Sequence, residues 1–156
     1  MSEARAIVVQ LMEEGSAARA HFQIWWTLRN LAIPQYLPTM NDHADFFLAS
    51  NAAHFKSFFL VLSKIYDRDV RAAGVSNLKG ALRNEGYSRI ADDFEKTTEP
   101  LATLVERVMS IRNKTIVHNE RELPRDKVYE VYGVSPNEIR SLIESTCSAI
   151  NNVAQG

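Results

Sequence analysis

Apolar residues recur along this chain at steps of three and four, between gaps marked by proline or glycine. That pattern predicts helices separated by short connections. The first runs from Ser2 or Glu3 to about Leu31, with Ile7, Leu11, Ala18, Phe22, Trp25 and Leu28 on one stripe. Gly15-Ser16 interrupts the stripe and offers a place to bend. Adjacent tryptophans cannot share a helix face. Trp25 and Trp26 are therefore expected to make different contacts, one in the core and one against a neighbouring helix or subunit, with ligand stacking as the alternative.

Pro34 and Pro38 punctuate a connection that ends at Asn41-Asp42, a candidate N-cap for a second helix from about Asp42 to Tyr66. Its second half, Phe55 to Ile65, is apolar on nearly every side, which predicts the buried centre of a bundle. Ser76 is the expected cap of a short helix through Glu85, stopped by Gly86, and another short helix spans Ser88 to Lys96. Thr97 to Pro100 then opens a long helix that Pro124 ends, with proline at its tolerated first position. Leu101, Leu104, Val105, Val108, Ile111 and Thr115 form its inward stripe. The segment from Lys127 to Tyr132 alternates as a strand would, but without a partner strand it reads as a loop or helical turn. Ser135-Pro136-Asn137-Glu138 is a capping box, and the helix it starts places Ile139, Leu142, Ile143, Cys147 and Ile150 inward. The expected architecture is a single all-α domain, a bundle of four to five helices over residues 1–156.

Composition adds constraints. At 156 residues the chain can bury one substantial core, and few glycines and prolines favour long helices. A net charge of -1 excludes a protein that binds nucleic acid with its whole surface, so any polyanion site must be a local patch. One cysteine, Cys147, rules out an internal disulfide and fits a reducing, cytoplasmic setting. Met1 to Arg5 shows no basic region followed by an apolar core, so no secretory signal is expected. No apolar run approaches the roughly 20 residues a membrane span needs, so no membrane role is expected.

The candidate chemistry lies late in the Pro100–Pro124 segment, from Arg112 to His118. Arg112 offers a planar, permanently charged fork for phosphate oxygens. His118 is of the residue type that exchanges a proton near neutral pH. On a regular helix six residues separate the two by about 9 Å along the axis and about 120° around it. One helix alone does not close a site from them. A distorted helix end or a second copy of the helix is required. Between residues 107 and 127 six cations face three carboxylates, which is either the local patch that the net charge requires or a solvated helix face. Tyr66-Asp67-Arg68-Asp69 reads as a solvated helix terminus with local ion pairs, or as the place from which Asp67 orients Arg112 or His118. His43 and His54 lie about 16 Å apart on one helix face, too far to share a metal ion. Neither a metal site nor a cofactor is expected.

Arg112-Asn113, four further residues and His118 resemble the arginine-polar-x(n)-histidine motif of the HEPN superfamily, the higher eukaryote and prokaryote nucleotide-binding domains. Ile65-Tyr66-Asp67-Arg68, closing a buried helix, together with the aromatic cluster from Phe22 to Trp26, is similar to the AbiU-like, abortive-infection branch of that superfamily. The resemblance covers residues 1 to 125. It implies a HEPN-like bundle, a homodimer with paired motifs facing a cleft, and a metal-independent endoribonuclease of a phage-defence or toxin-antitoxin type. Arg112, Asn113 and His118 would be the catalytic residues, Lys114, Arg121 and Asp67 candidate substrate contacts, RNA the substrate, and an antitoxin or sister protein a possible partner. The alternative is a HEPN-like module that binds RNA, a nucleotide or a protein without cutting.

Overall fold

Ser2 starts the first helix: its backbone is extended and its hydroxyl accepts from the Arg5 amide, which satisfies one of the donors a helix start leaves open. The computed structural model describes residues 2–113 and 133–156. In chain order the described helices are α1 (Glu3–Asn30), α2 (Leu37–Asp42), α3 (Ala44–Ile65), α4 (Val75–Asn84), α5 (Ser88–Thr98), α6 (Ala102–Ile111) and α7 (Pro136–Gln155). A 3-10 turn, Glu99–Leu101, joins α5 to α6. No strand occurs among the described residues, and the protein is an all-helical bundle.

The core forms where α1 meets α3 on one side and α7 on the other. From α1 come Leu11, Phe22 and Trp25, from α3 Phe58, Phe59 and Leu62, and from α7 Ile139, Leu142 and Ile150, all almost fully buried. Each such side chain contributes on the order of 1.5–3 kcal/mol of transfer free energy. The tryptophans divide as expected. Trp25 is core, 1% exposed. Trp26 is half-buried, stacks on Phe22 at an 8° interplanar angle, and carries the Arg140 guanidinium 5.2 Å from its ring centre, so it is the contact to α7.

Gly15 does not break α1, which runs unbroken through it. A Cβ at that position would come 2.9 Å from the Cys147 sulfur, so the glycine permits close approach of α1 and α7. The Pro34–Asp42 connection also differs from expectation. Pro38 lies in the first turn of α2, Asn41 and Asp42 end that helix, and α3 begins after His43 without a side-chain cap. Ser76 lies inside the first turn of α4, whose cap is Gly74. The end of α4 is as expected: Gly86 takes φ +88°, and the Gly86 and Tyr87 amides donate to the Arg83 and Leu82 carbonyls. Thr97 and Thr98 close α5 rather than open a new helix, and Thr98 donates to the Phe94 carbonyl. The capping box at Ser135 is present in both directions. The outer half of the Pro100–Pro124 segment, with Thr115, and the Lys127–Tyr132 stretch lie outside the described residues.

Two findings on α3 were not anticipated. By length and composition it is long and apolar enough to cross a bilayer, which the apolar runs alone did not suggest. Its second half nevertheless packs in the bundle core, while Phe46 and Leu48 near its start are 64% and 70% exposed. In addition, His54 does not stand alone. Its Nδ1 lies 2.8 Å from Nδ1 of His21 on α1, so one imidazole donates to the other. Among the described residues no group of three or more His, Cys, Asp or Glu side chains could hold a metal ion.

Candidate functional site

The end of α3, the start of α4 and one face of α6 enclose an open cleft of about 950 Å³. Arg112 and Asn113 lie on its wall just past the end of α6, and Asp67 lies on it at the corner after α3. The fold therefore brings together three of the six residues singled out in the sequence. His118, Lys114 and Arg121 lie outside the described residues. Arg112 keeps helical dihedrals, φ -54° and ψ -49°, but the backbone at Arg112 and Asn113 widens into a π-type turn. Such a turn is the kind of distorted helix end that a site built from Arg112 and a residue six positions on requires.

Arg112 is half-buried. Its Nη1 donates to the Asn113 side-chain oxygen at 2.7 Å, and its Nε is buried with no acceptor among the described residues. A buried charged donor without an acceptor is unfavourable until an anion arrives. Asp67 does not supply that acceptor. Its carboxylate accepts from the Asp69 amide at 2.9 Å, an Asx turn that shapes the corner. Asn113 is thus the described residue that orients Arg112.

The described walls are not a basic trench. Arg68, Lys79 and Arg112 line the cleft alongside Asp67, Glu95, Glu99 and Glu106. Lys79 is engaged by Glu95 at 3.0 Å. Hydrogen bonds from Lys79 and Arg83 hold the Glu95 carboxyl below its ordinary pKa. Of the basic run beginning at residue 107, Arg107 is also committed: it donates to the Gly133 carbonyl at 2.6 Å and pairs with Glu138 at 3.5 Å. Its role is to fasten the start of α7 to α6. Of the two described cations of that run, Arg112 is the one that lines the cleft.

Tyr66 forms part of the cleft and was not singled out for chemistry. Its phenol contacts the hydroxyl of Thr146 on α7, and Thr146 in turn donates to the Leu142 carbonyl at 2.7 Å. Since the Thr146 hydroxyl has one proton, already given to Leu142, Tyr66 must be the donor of the first bond. Burial pushes the Tyr66 pKa up to about 12, partly opposed by the Thr146 hydrogen bond. It is a neutral structural donor near neutral pH, unsuited to act as a base. No sequence signal marks this relay, because its members lie 80 residues apart.

The sequence profile of the AbiU2 HEPN family matches residues 1–156. The chain belongs to the AbiU2 HEPN family. The match takes in α7 as well, beyond the residues whose motifs carry the resemblance. No curated protein and no solved structure gives a match. In this AbiU2 HEPN domain, the cleft has Arg112 on its wall and Asp67 and Arg68 at the corner after α3.

Proposed function

We propose that this AbiU2 HEPN domain is a metal-independent endoribonuclease of the abortive-infection type, working as a homodimer. The observation that carries the reading is Arg112. It lies on the wall of a cleft large enough for a nucleotide, its Nε has no acceptor among the described residues, and it opens the stretch that resembles the HEPN arginine-polar-x(n)-histidine motif. RNA carries its own nucleophile. A base removes the 2′-hydroxyl proton, the 2′-oxygen attacks the adjacent phosphorus, and the bond to the 5′-oxygen breaks as that oxygen takes up a proton. The products are a 2′,3′-cyclic phosphate and a 5′-hydroxyl, and the reaction needs no metal. His118 is assigned the proton transfer, Arg112 the charge that grows on the phosphate oxygens, and Asn113 the alignment of Arg112. Lys114 and Arg121 are assigned to the RNA backbone. In this reading the site is shared with a second copy of the chain, as the HEPN resemblance implies, and the widened turn at Arg112 and Asn113 turns the motif out of regular helix geometry.

The test is incubation with RNA in the presence of a chelator. Wild type should release fragments with cyclic-phosphate ends, and Arg112→Ala and His118→Ala should each lose at least about 100-fold in rate, as expected for one charge-stabilising or proton-transfer group. Undiminished cleavage by His118→Ala would remove that residue from the mechanism, and a monomer in sedimentation would remove the composite site. A second reading, a module that binds without turnover, is favoured by the near balance of cations and carboxylates on the described walls. It predicts RNA binding that Arg112→Ala weakens and His118→Ala leaves unchanged, with no cyclic-phosphate product.

A further inference from the structure

We propose that Arg68 is a second phosphate-gripping residue of the Arg112 cleft, and that Asp67 serves the corner presenting it rather than the chemistry. This rests on the reading above only in taking the ligand to be RNA. The corner between α3 and α4 is tightly pinned. The Asp67 carboxylate accepts from the Asp69 amide, and the Asp69 carboxylate accepts from the Arg71 amide, both at 2.9 Å. Arg71 is locked onto that carboxylate by two further bonds of 3.0 and 2.8 Å. The Asn77 side chain bridges the Asp69 and Ala72 carbonyls at 2.7 and 2.6 Å. Gly74 is packed so closely on the Asp67 carbonyl that a side chain there would collide with it.

Asp67, Asp69, Arg71 and Asn77 are all spent on holding this corner. Arg68 is not. It is exposed, lines the cleft, and makes no hydrogen bond or ion pair with any described residue. The adjacent carboxylate, Asp67, is turned to a backbone amide instead of to Arg68. Of the three cations on the wall, Lys79 is matched by Glu95, which leaves the guanidinium groups of Arg68 and Arg112. Guanidinium forks fit phosphate oxygens in pairs of bonds, and two of them on one cleft suit a phosphodiester-linked ligand better than a lone anion. A volume of about 950 Å³ likewise fits a nucleotide unit or more. The carboxylates Glu99 and Glu106 on the same cleft repel phosphate and can accept from a base N–H group.

The experiment uses the full chain and a fluorescein-labelled 2′-O-methyl oligouridylate, which cannot be cut by 2′-attack, read by anisotropy across a salt series. Arg68→Ala is expected to weaken binding about tenfold, the loss of one charge-assisted contact. It should also reduce the slope of log affinity against log salt by about 0.7, one single-strand phosphate contact. Arg68→Lys should recover part of the affinity, and Asp67→Asn, which keeps the accepting oxygen of the turn, should bind like wild type. Thermal melts should be unchanged for Arg68→Ala, because the side chain is exposed. Wild-type affinity and slope in Arg68→Ala, with Arg112→Ala weakened, would overturn the Arg68 assignment and leave the nuclease reading standing. A wild-type protein with no affinity for the probe would overturn both. Loss of binding in Asp67→Asn with an unchanged melt would return Asp67 to the chemistry and overturn its part of the proposal.

Discussion

Glycine-to-alanine changes at two positions of the same small helical unit should move stability in opposite directions. At Gly74 a Cβ would stand 2.3 Å from the Asp67 carbonyl oxygen, about 1.1 Å short of the 3.4 Å where ordinary contact begins. The obstructing atom is backbone in a pinned corner and cannot rotate away. Overpacking of this kind costs about 1–3 kcal/mol. Gly74 has φ -107°, so alanine is not strained by its dihedral, and loss of unfolded-state freedom returns only about 0.4–1 kcal/mol. At Gly80, exposed in the middle of α4, nothing lies within 4 Å of the added methyl. Replacing a mid-helix glycine there should stabilise by about 0.5–1 kcal/mol. For a chain of this size one kcal/mol corresponds to about 2–4 °C in Tm, so the two variants should melt on either side of wild type. Urea and thermal unfolding of Gly74→Ala, Gly80→Ala and wild type measure this. Because Gly74 supports the corner that carries Arg68, Gly74→Ala should also weaken binding of the oligouridylate. A Gly74→Ala protein as stable as Gly80→Ala would refute the reasoning, since it would mean the corner yields freely.

Burial, and then the neighbouring His54, hold the His21 imidazole below its ordinary pKa of 6.5. A folded-state pKa below the unfolded one gives stability that is present above pH 6.5 and lost as pH falls through the folded value. Melting temperature should therefore fall on acidification from about that pH, and His21→Gln should flatten the dependence; equal slopes in the two proteins would contradict it. Removing the cap of α7 with Ser135→Ala should cost about 0.5–2 kcal/mol. The Glu138 carboxyl, held below its ordinary pKa by its bonds to the Ser135 backbone and side chain, should then titrate closer to its usual value in an NMR pH series.

The parts of the fold that declared themselves in sequence are those set by local rules. The stripe of α1, the proline-primed capping box at Ser135 and the glycine stop at Gly86 each depend on neighbours within a turn or two, and each is found. Boundaries were missed where two local signals competed. Thr97-Thr98-Glu99-Pro100 carries a start signal, yet α5 continues through Thr98, and the proline is absorbed in a 3-10 turn. What could not be read at all was register between helices. His21 meets His54 only because α1 and α3 cross at that level, and nothing in either helix alone announces it. The site shows the same division. Arg112 stood out by residue type and spacing, and Asp67 by its place after a buried helix. Their common cleft, and the fact that Asp67 turns away from Arg112 toward a backbone amide, depend on how α3, α4 and α6 meet.

The hydrogen-bond relay from Tyr66 through Thr146 to the Leu142 carbonyl ties one wall of the cleft to α7. The residue immediately before Asp67 and Arg68 is moored to a buried hydroxyl of α7, and that hydroxyl has no spare proton with which to release it. A rotation of α7 that breaks this contact should therefore loosen the corner that carries Arg68. Pressure on the surface of the last helix has, in this architecture, a direct line to the Arg68 corner.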